Sequence, residues 1–214
     1  ELLDSPYYGE LWARHWLDVA GYADSEGYSV ADAERPWAWK YRDWVIRALN
    51  ADKPFDQFVI EQLAGDELAG PQNGDLTAEQ IELLTATGFL RMAADGTGSG
   101  ANNPDGQNQV MTDTLKIVGT SLLGLSLQCA QCHDHRYDPI PQTDYYSIRA
   151  VFEPALDWKS WRVPNARRVS LYTKADREKA AEVEAEAQVI AKEKGEKQVE
   201  YMKQALDQEL MKFD

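Results

Sequence analysis

Apolar side chains recur every three or four residues along most of this chain, a spacing that predicts helices. Over residues 5–23 the stripe is Leu11, Trp12, His15, Trp16 and Val19, with Pro6 suited to a first turn. A polar loop over 24–35 separates it from a second helix opened by Pro36, whose apolar face is Trp37, Tyr41, Trp44, Val45 and Ala48. A third helix follows Asp52-Lys53-Pro54 with Phe55, Phe58, Val59, Gln62 and Leu63, and Gly65 is its expected stop. After a turn-rich linker over 70–75, Thr77-Ala78-Glu79-Gln80 reads as a capping box opening a helix that runs to about Met92.

The Gly/Asn/Asp-rich stretch 94–109 is too long for an ordinary connection and predicts a loop. A helix over 110–127 then leads into a cysteine motif. Beyond it, Asp138-Pro139-Ile140-Pro141 is stiff and extended, and Tyr145, Tyr146, Ile148 and Val151 mark another helix. The single strand expected lies in 162–173, around Val169, Leu171 and Tyr172. From 174 to 214 the composition turns to Glu, Lys, Ala and Gln, with a narrow seam of Val199, Met202, Leu206, Leu210 and Phe213 and a weaker set, Val183, Ala187 and Ile190. This predicts one long helix, or a hairpin broken at Gly195. It packs on the preceding domain or pairs through 183–213 with a coiled-coil partner.

The fold class is therefore mainly α, with little or no sheet, divided into 1–173 and a charged helical extension, 174–214. At 214 residues and 43% hydrophobic, the chain can bury a core without disulfides. Its longest largely apolar run, 117–127, is too short to span a membrane. A net charge of −14 repels phosphate backbones and anionic lipid, which excludes nucleic acid as a partner. Residue 1 is Glu and no signal segment is present, so any export signal is expected to have been removed or to lie outside this sequence.

The two cysteines sit together in Cys129-Ala130-Gln131-Cys132-His133. Cys-x-x-Cys-His is the attachment signature of c-type haem. Two thiols one turn apart meet the two vinyl groups on one porphyrin edge, and the following imidazole falls beneath the iron. Cys129 and Cys132 are then the thioether anchors of one covalent haem c, and His133 is the proximal ligand. Zinc held by Cys129, Cys132, His133 and His135 is a rival, although four ligands within seven residues make a strained cage. A Cys129–Cys132 dithiol or disulfide is another, although the βαβ surroundings of a thioredoxin are missing.

His135 cannot also reach the same iron, since two residues span only about 7 Å. His15 is the remaining histidine and the candidate distal ligand, the alternative being a core histidine satisfied by a carbonyl. Met92 and Met111 are fallback sulfur ligands that also suit a core. A sixth ligand favours electron transfer, and an open face favours small-molecule or peroxidase-like chemistry. Arg14, Arg42 and Arg136 are candidates to pair with propionates. Asp95, Asn102, Asn103, Asp105, Asp134 and Asp138 offer oxygen atoms of the kind calcium takes, without the spacing of an EF-hand. Trp12, Trp16, Trp37, Trp39 and Trp44 are expected to form one cluster.

Several strings resemble a known family. Pro6-Tyr7-Tyr8-Gly9-Glu10, Trp12-Ala13-Arg14-His15-Trp16-Leu17-Asp18-Val19-Ala20, Tyr22-Ala23-Asp24-Ser25, Tyr41-Arg42-Asp43-Trp44-Val45-Ile46, Gln62-Leu63-Ala64-Gly65-Asp66 and the run from Cys129 through His133-Asp134-His135-Arg136-Tyr137-Asp138-Pro139-Ile140-Pro141 to Tyr146 are similar to the planctomycete-type cytochrome c-like domain of unknown function. The resemblance covers 2–154. It implies a c-type haem domain of a large exported, periplasmic or extracellular multidomain protein, serving a redox partner or an adjacent domain of the parent chain. Gly21 departs from the pattern, which leads one to expect a basic residue there.

Overall fold

The computed structural model describes residues 2–27, 32–71 and 73–212, and its regular elements there are helices and helical turns with one isolated antiparallel bridge, Ser25 to Glu34. It divides into two units. The first comprises Glu1–Pro71 with Thr77–Val169, and the second Gln72–Leu76 with Ser170–Asp214.

In the first unit, α1 (Tyr7–Ala20) stops at Gly21, whose φ of 73° lets its N–H and that of Tyr22 reach back to Asp18 and Leu17. Gly suits this left-handed position, where an L side chain would be strained. The face that α1 buries also differs from the expected stripe. Gly9, Ala13 and Ala20 are buried and Trp16 is half-buried, whereas Leu11, Trp12 and Val19 are half exposed or more. The reason is close approach: a Cβ on Gly9 would lie 2.4 Å from the Ile46 carbonyl, so small residues form the seam with α2 (Ala38–Asn50). Tyr41, Trp44, Val45 and Ala48 of α2 are buried as their spacing predicts.

Only Trp16 and Trp44 of the five tryptophans join the core. Trp12, Trp37 and Trp39 are exposed, the Lys40 ammonium lying 4.7 Å from the Trp39 ring centre. The aromatic core is instead completed by phenylalanines: Trp16 lies edge-on to Phe58 at 4.9 Å, and Trp44 stacks on Phe58 at 5.2 Å. One polar knot is fully satisfied inside it. Tyr41 and the Trp16 indole both donate to Gln62 Oε1, at 2.6 and 3.1 Å, and the Gln62 amide donates to the Phe58 carbonyl.

Gly65 does not stop α3 (Phe55–Ala69). The helix kinks at Ala64 and continues, and Gly65 is buried where a Cβ would lie 2.2 Å from the Leu83 carbonyl of α4 (Ala78–Ala86). Thr77 and Gln80 form the predicted capping box, but α4 tightens into a 3₁₀ turn, Thr87–Arg91, instead of continuing as α-helix. The expected loop 94–109 is partly helical: Asn103 caps α5 (Pro104–Val118), with Pro104 in the first turn. α6 (Gln142–Leu156) then brings Tyr145 and Leu156 against Met111, Leu115 and Ala130 in a second core cluster.

No strand forms in 162–173. The turn Pro164–Arg167 occupies part of the region, Val169 and Tyr172 are exposed, and no neighbouring strand is there to pair with among the described residues. The second unit is dominated by α7 (Lys174–Leu210), which runs through Gly195 without a break and buries none of its residues. Its N-terminus is a reciprocal box of Thr173 and Asp176, and Asp75 accepts from the Lys174 amide and from Arg177. The proposed seam is exposed at Val183, Ile190, Val199, Met202, Leu206 and Leu210, while Phe213 lies outside the described residues. No helix is long and apolar enough to cross a membrane among the described residues.

Candidate functional site

The cysteine loop is set up by the way α5 ends. A π-helical turn, Gly119–Leu123, closes on Gly124 at φ 65°, and Leu125 N–H returns to the Gly119 carbonyl. The chain then tightens into a 3₁₀ turn, Leu127–Gln131, in which residues three apart share a face. Leu127 and Ala130 are buried at 3% and 0% exposure, so the offset pair, Cys129 and Cys132, must point outward. Both are exposed, unpaired thiols.

His133 is exposed beside them. Its Nδ1 lies 2.7 Å from the Asp134 carbonyl, which can only accept, so Nδ1 carries the hydrogen and the Nε2 lone pair is left outward. The first turn of α6 fixes this loop from the other side: Asp134 Oδ1 accepts from the Gln142 amide, and Gln142 Nε2 and the Tyr146 hydroxyl both donate to the Gln131 carbonyl.

His135, two residues on, has the opposite fate. Its side chain is 4% exposed, and its Nδ1 accepts from the Asp138 amide at 2.9 Å and the Tyr137 amide at 3.3 Å. Nε2 therefore carries the hydrogen and donates to Ser126 Oγ at 2.9 Å. The 3.2 Å approach of Asp138 Oδ2 to Nδ1 sets one acceptor against another and is no ion pair in this tautomer. Nor does Ser126 have a general base, because the imidazole donates to it. His135 is a buried staple across 126–138, with both ring nitrogens engaged in hydrogen bonds. Among the described residues no three His, Cys, Asp or Glu side chains converge on a point.

The remaining candidates are scattered. His15 is exposed on α1, its ring 5.5 Å from that of Trp12, among Leu11 and Val19. It is not a core histidine, and no hydrogen bond or ring contact among the described residues joins it to the cysteine loop. Met92 and Met111 are buried in separate core clusters. Arg14 is exposed, Arg42 pairs with Asp43 at 2.8 Å, and Arg136 lies over the Tyr137 ring without an acidic partner among the described residues. Four of the six side chains considered for a cation are engaged separately. Asp95 pairs with Arg167, Asn103 caps α5, Asn102 accepts from Gln107, and Asp134 holds Gln142.

Sequence reasoning missed three features. Ser126 carries no motif that would reveal it. Asp95, which the sequence offers as one oxygen donor in a solvated loop, is a buried ion-pair partner. Arg91 and Arg167 are drawn in from positions far apart in the chain: Arg91 donates to the Ala155 carbonyl, and Arg167 stacks over Trp161 at 4.4 Å. Burial first, then the neighbouring Arg167 charge, pushes the Arg91 pKa down to about 10.

The family model PSCyt2, described as a protein of unknown function (DUF1549), matches residues 1–156. No curated protein and no solved structure matches the chain.

Proposed function

Because the chain belongs to the PSCyt2 family, which is planctomycete cytochrome-like and of unknown function, we propose that the cysteine loop attaches one haem c and that the domain transfers electrons within a larger exported protein. The observation that carries this reading is the exposure, at and just after one tight turn, of two unpaired thiols and an imidazole whose Nε2 has no hydrogen-bond partner among the described residues. The residues fit the group: Cys129 and Cys132 would hold it by two thioethers, and His133 would give its Nε2 lone pair. When bound, the haem supplies a one-electron couple, whose potential its ligands and surroundings set.

The chain's own work is positional. The Asp134 carbonyl fixes the tautomer and the plane of the His133 ring, as a carbonyl partner does for metal-bound histidines generally. Gln142 and Tyr146 hold the Gln131 carbonyl, so the turn between the thiols cannot unwind freely. The reading extends to His15 as distal ligand, supported by an exposed imidazole set in an apolar face of Leu11, Trp12 and Val19. Arg136, exposed beside the cysteine loop and without an acidic partner among the described residues, is the arginine assigned to a propionate in this reading. The electron partner is a separate protein or a neighbouring domain of the parent chain.

The test is to mature the protein in a bacterial host with haem-attachment machinery and to measure its denatured mass and its haemochrome spectrum. One added porphyrin, lost in Cys129→Ala/Cys132→Ala, is expected. Colourless protein without iron overturns the proposal. His15→Ala should turn a six-coordinate low-spin spectrum high-spin, and an unchanged spectrum removes His15 from the assignment.

A further inference from the structure

The first unit contains a buried cationic cluster whose donors are not all satisfied among the described residues. Arg167 has only 7% of its side chain exposed and pairs through Nη1 with Asp95 at 2.7 Å, itself 7% exposed. Asp95 is shared further, since its Oδ1 accepts from the Thr97 amide at 2.9 Å and from the Thr97 hydroxyl. Among the described residues, Arg167 Nε and Nη2 and Arg91 Nη1 are buried without a hydrogen-bond partner. Two desolvated guanidinium groups thus face one carboxylate, with the exposed Arg162 adding positive charge. Of the other acids within electrostatic reach, Glu26 is taken by Arg35 at 2.7 Å and Asp66 is exposed.

Buried donors are almost always satisfied, and a charged one left bare is expensive. The identity of the bare atoms points to the missing partner. Nε–H and Nη2–H of one arginine are parallel and form the edge that grips two oxygens of a single anion. Trp161 stacks under this guanidinium at 4.4 Å, and its indole N–H is bound to Thr97 Oγ1, so the edge cannot swing away readily. We propose that Arg167 and Arg91 form a binding site for an oxyanion with two or more adjacent oxygens. Arg167 grips it side-on and Arg91 Nη1 supplies a third donor. Asn165, Ala166 and Arg168 around the Pro164–Arg167 turn are exposed, so one turn of chain separates the site from water. The site owes nothing to the cysteine loop, and stands or falls independently of haem attachment.

The test is calorimetric titration of the full chain with inorganic phosphate, sulfate and acetate, with chloride at matched ionic strength as reference. Saturable binding of one ion is expected in a protein whose net charge of −14 repels anions generally. Preference for phosphate and sulfate would identify a tetrahedral ligand, and preference for acetate a carboxylate. Arg167→Lys, which keeps the charge but loses the fork, should weaken binding at least about tenfold, while Arg168→Lys should not. In the wild-type chain labelled with ¹⁵N-arginine, one protected Nε–H resonance should shift saturably with the ion, a readout that needs no variant to fold. Absence of saturable binding by all three ions, or equal binding by Arg167→Lys, overturns the proposal.

Discussion

The helices before residue 93 and the loop from Ser126 to Tyr146 are built on opposite principles. In the first region α1 to α4 meet through apolar rings and small residues, with Trp44 and Val45 at 1% and 0% exposure, and buried polar side chains such as Gln62 and Glu61 are bound by close neighbours. In the second, a few buried side chains such as Leu127 and Ala130 anchor a segment otherwise held by hydrogen bonds in which Ser126, Asp134, His135 and Gln142 take part. The contrast shows how a thiol pair and an imidazole can stay exposed on a defined backbone. The shape of the loop does not depend on burying the groups that carry the chemistry.

The strongest challenge to this contrast removes a ring from the packed region. Trp44→Ala, which empties the stack on Phe58, should cost about 3–5 kcal/mol in urea unfolding, and a loss below 1 kcal/mol would mean that the helices are not held by that stack. Gly65→Ala adds a methyl into the Leu83 carbonyl and should cost about 1–3 kcal/mol, read from the same transition. In the loop, His135→Ala unties two backbone amides and Ser126 and should lower local stability by about 1–3 kcal/mol. Hydrogen exchange should quicken over 126–140 while exchange in α2 and α3 stays as it was. Equal acceleration in both regions would erase the distinction.

Smaller effects come from titration. Tyr22 donates to Asp24 at 2.6 Å, and burial, with that hydrogen bond second, raises its pKa to about 12. The folded state thus holds this proton more tightly than the unfolded one. Its contribution is complete below the ordinary tyrosine pKa of about 10 and is lost as pH rises from there to about 12. Tyr22→Phe should flatten that part of the stability profile, measured by melts at each pH. The least effect is expected at α7, where the Thr173 hydrogen bonds hold the Asp176 carboxyl below its ordinary range. That support is present above the ordinary carboxylate pKa and fades as pH falls through the lowered value. Acid should therefore fray the first turn of α7, seen as amide exchange at 174–178, and Asp176→Asn should blunt the pH dependence.

How much of this was readable in advance varies residue by residue. The apolar spacing of Tyr41, Trp44, Val45 and Ala48 is a local property of one helix, and it marked their burial correctly. The capping residues Thr77, Gln80 and Pro104 act within a single turn, and such signals survive any tertiary context, although α5 begins at Pro104 rather than Val110. Gly65 and the α1 stripe misled for one reason: their roles are set by another helix lying against them, Leu83 in one case and Ile46 in the other. The Cys129–His133 string announced the candidate chemistry because its spacing is covalent.

By itself the sequence determined helices wherever apolar residues repeat at helical intervals, together with a motif whose reactive groups lie within one turn of chain. Only the tertiary structure decided which face of each helix is buried, that His133 looks outward while His135 looks in, and that Arg91 and Arg167 share a buried cluster with Asp95. Those outcomes rest on contacts between segments far apart along the chain, and no local pattern encodes the distance across a fold.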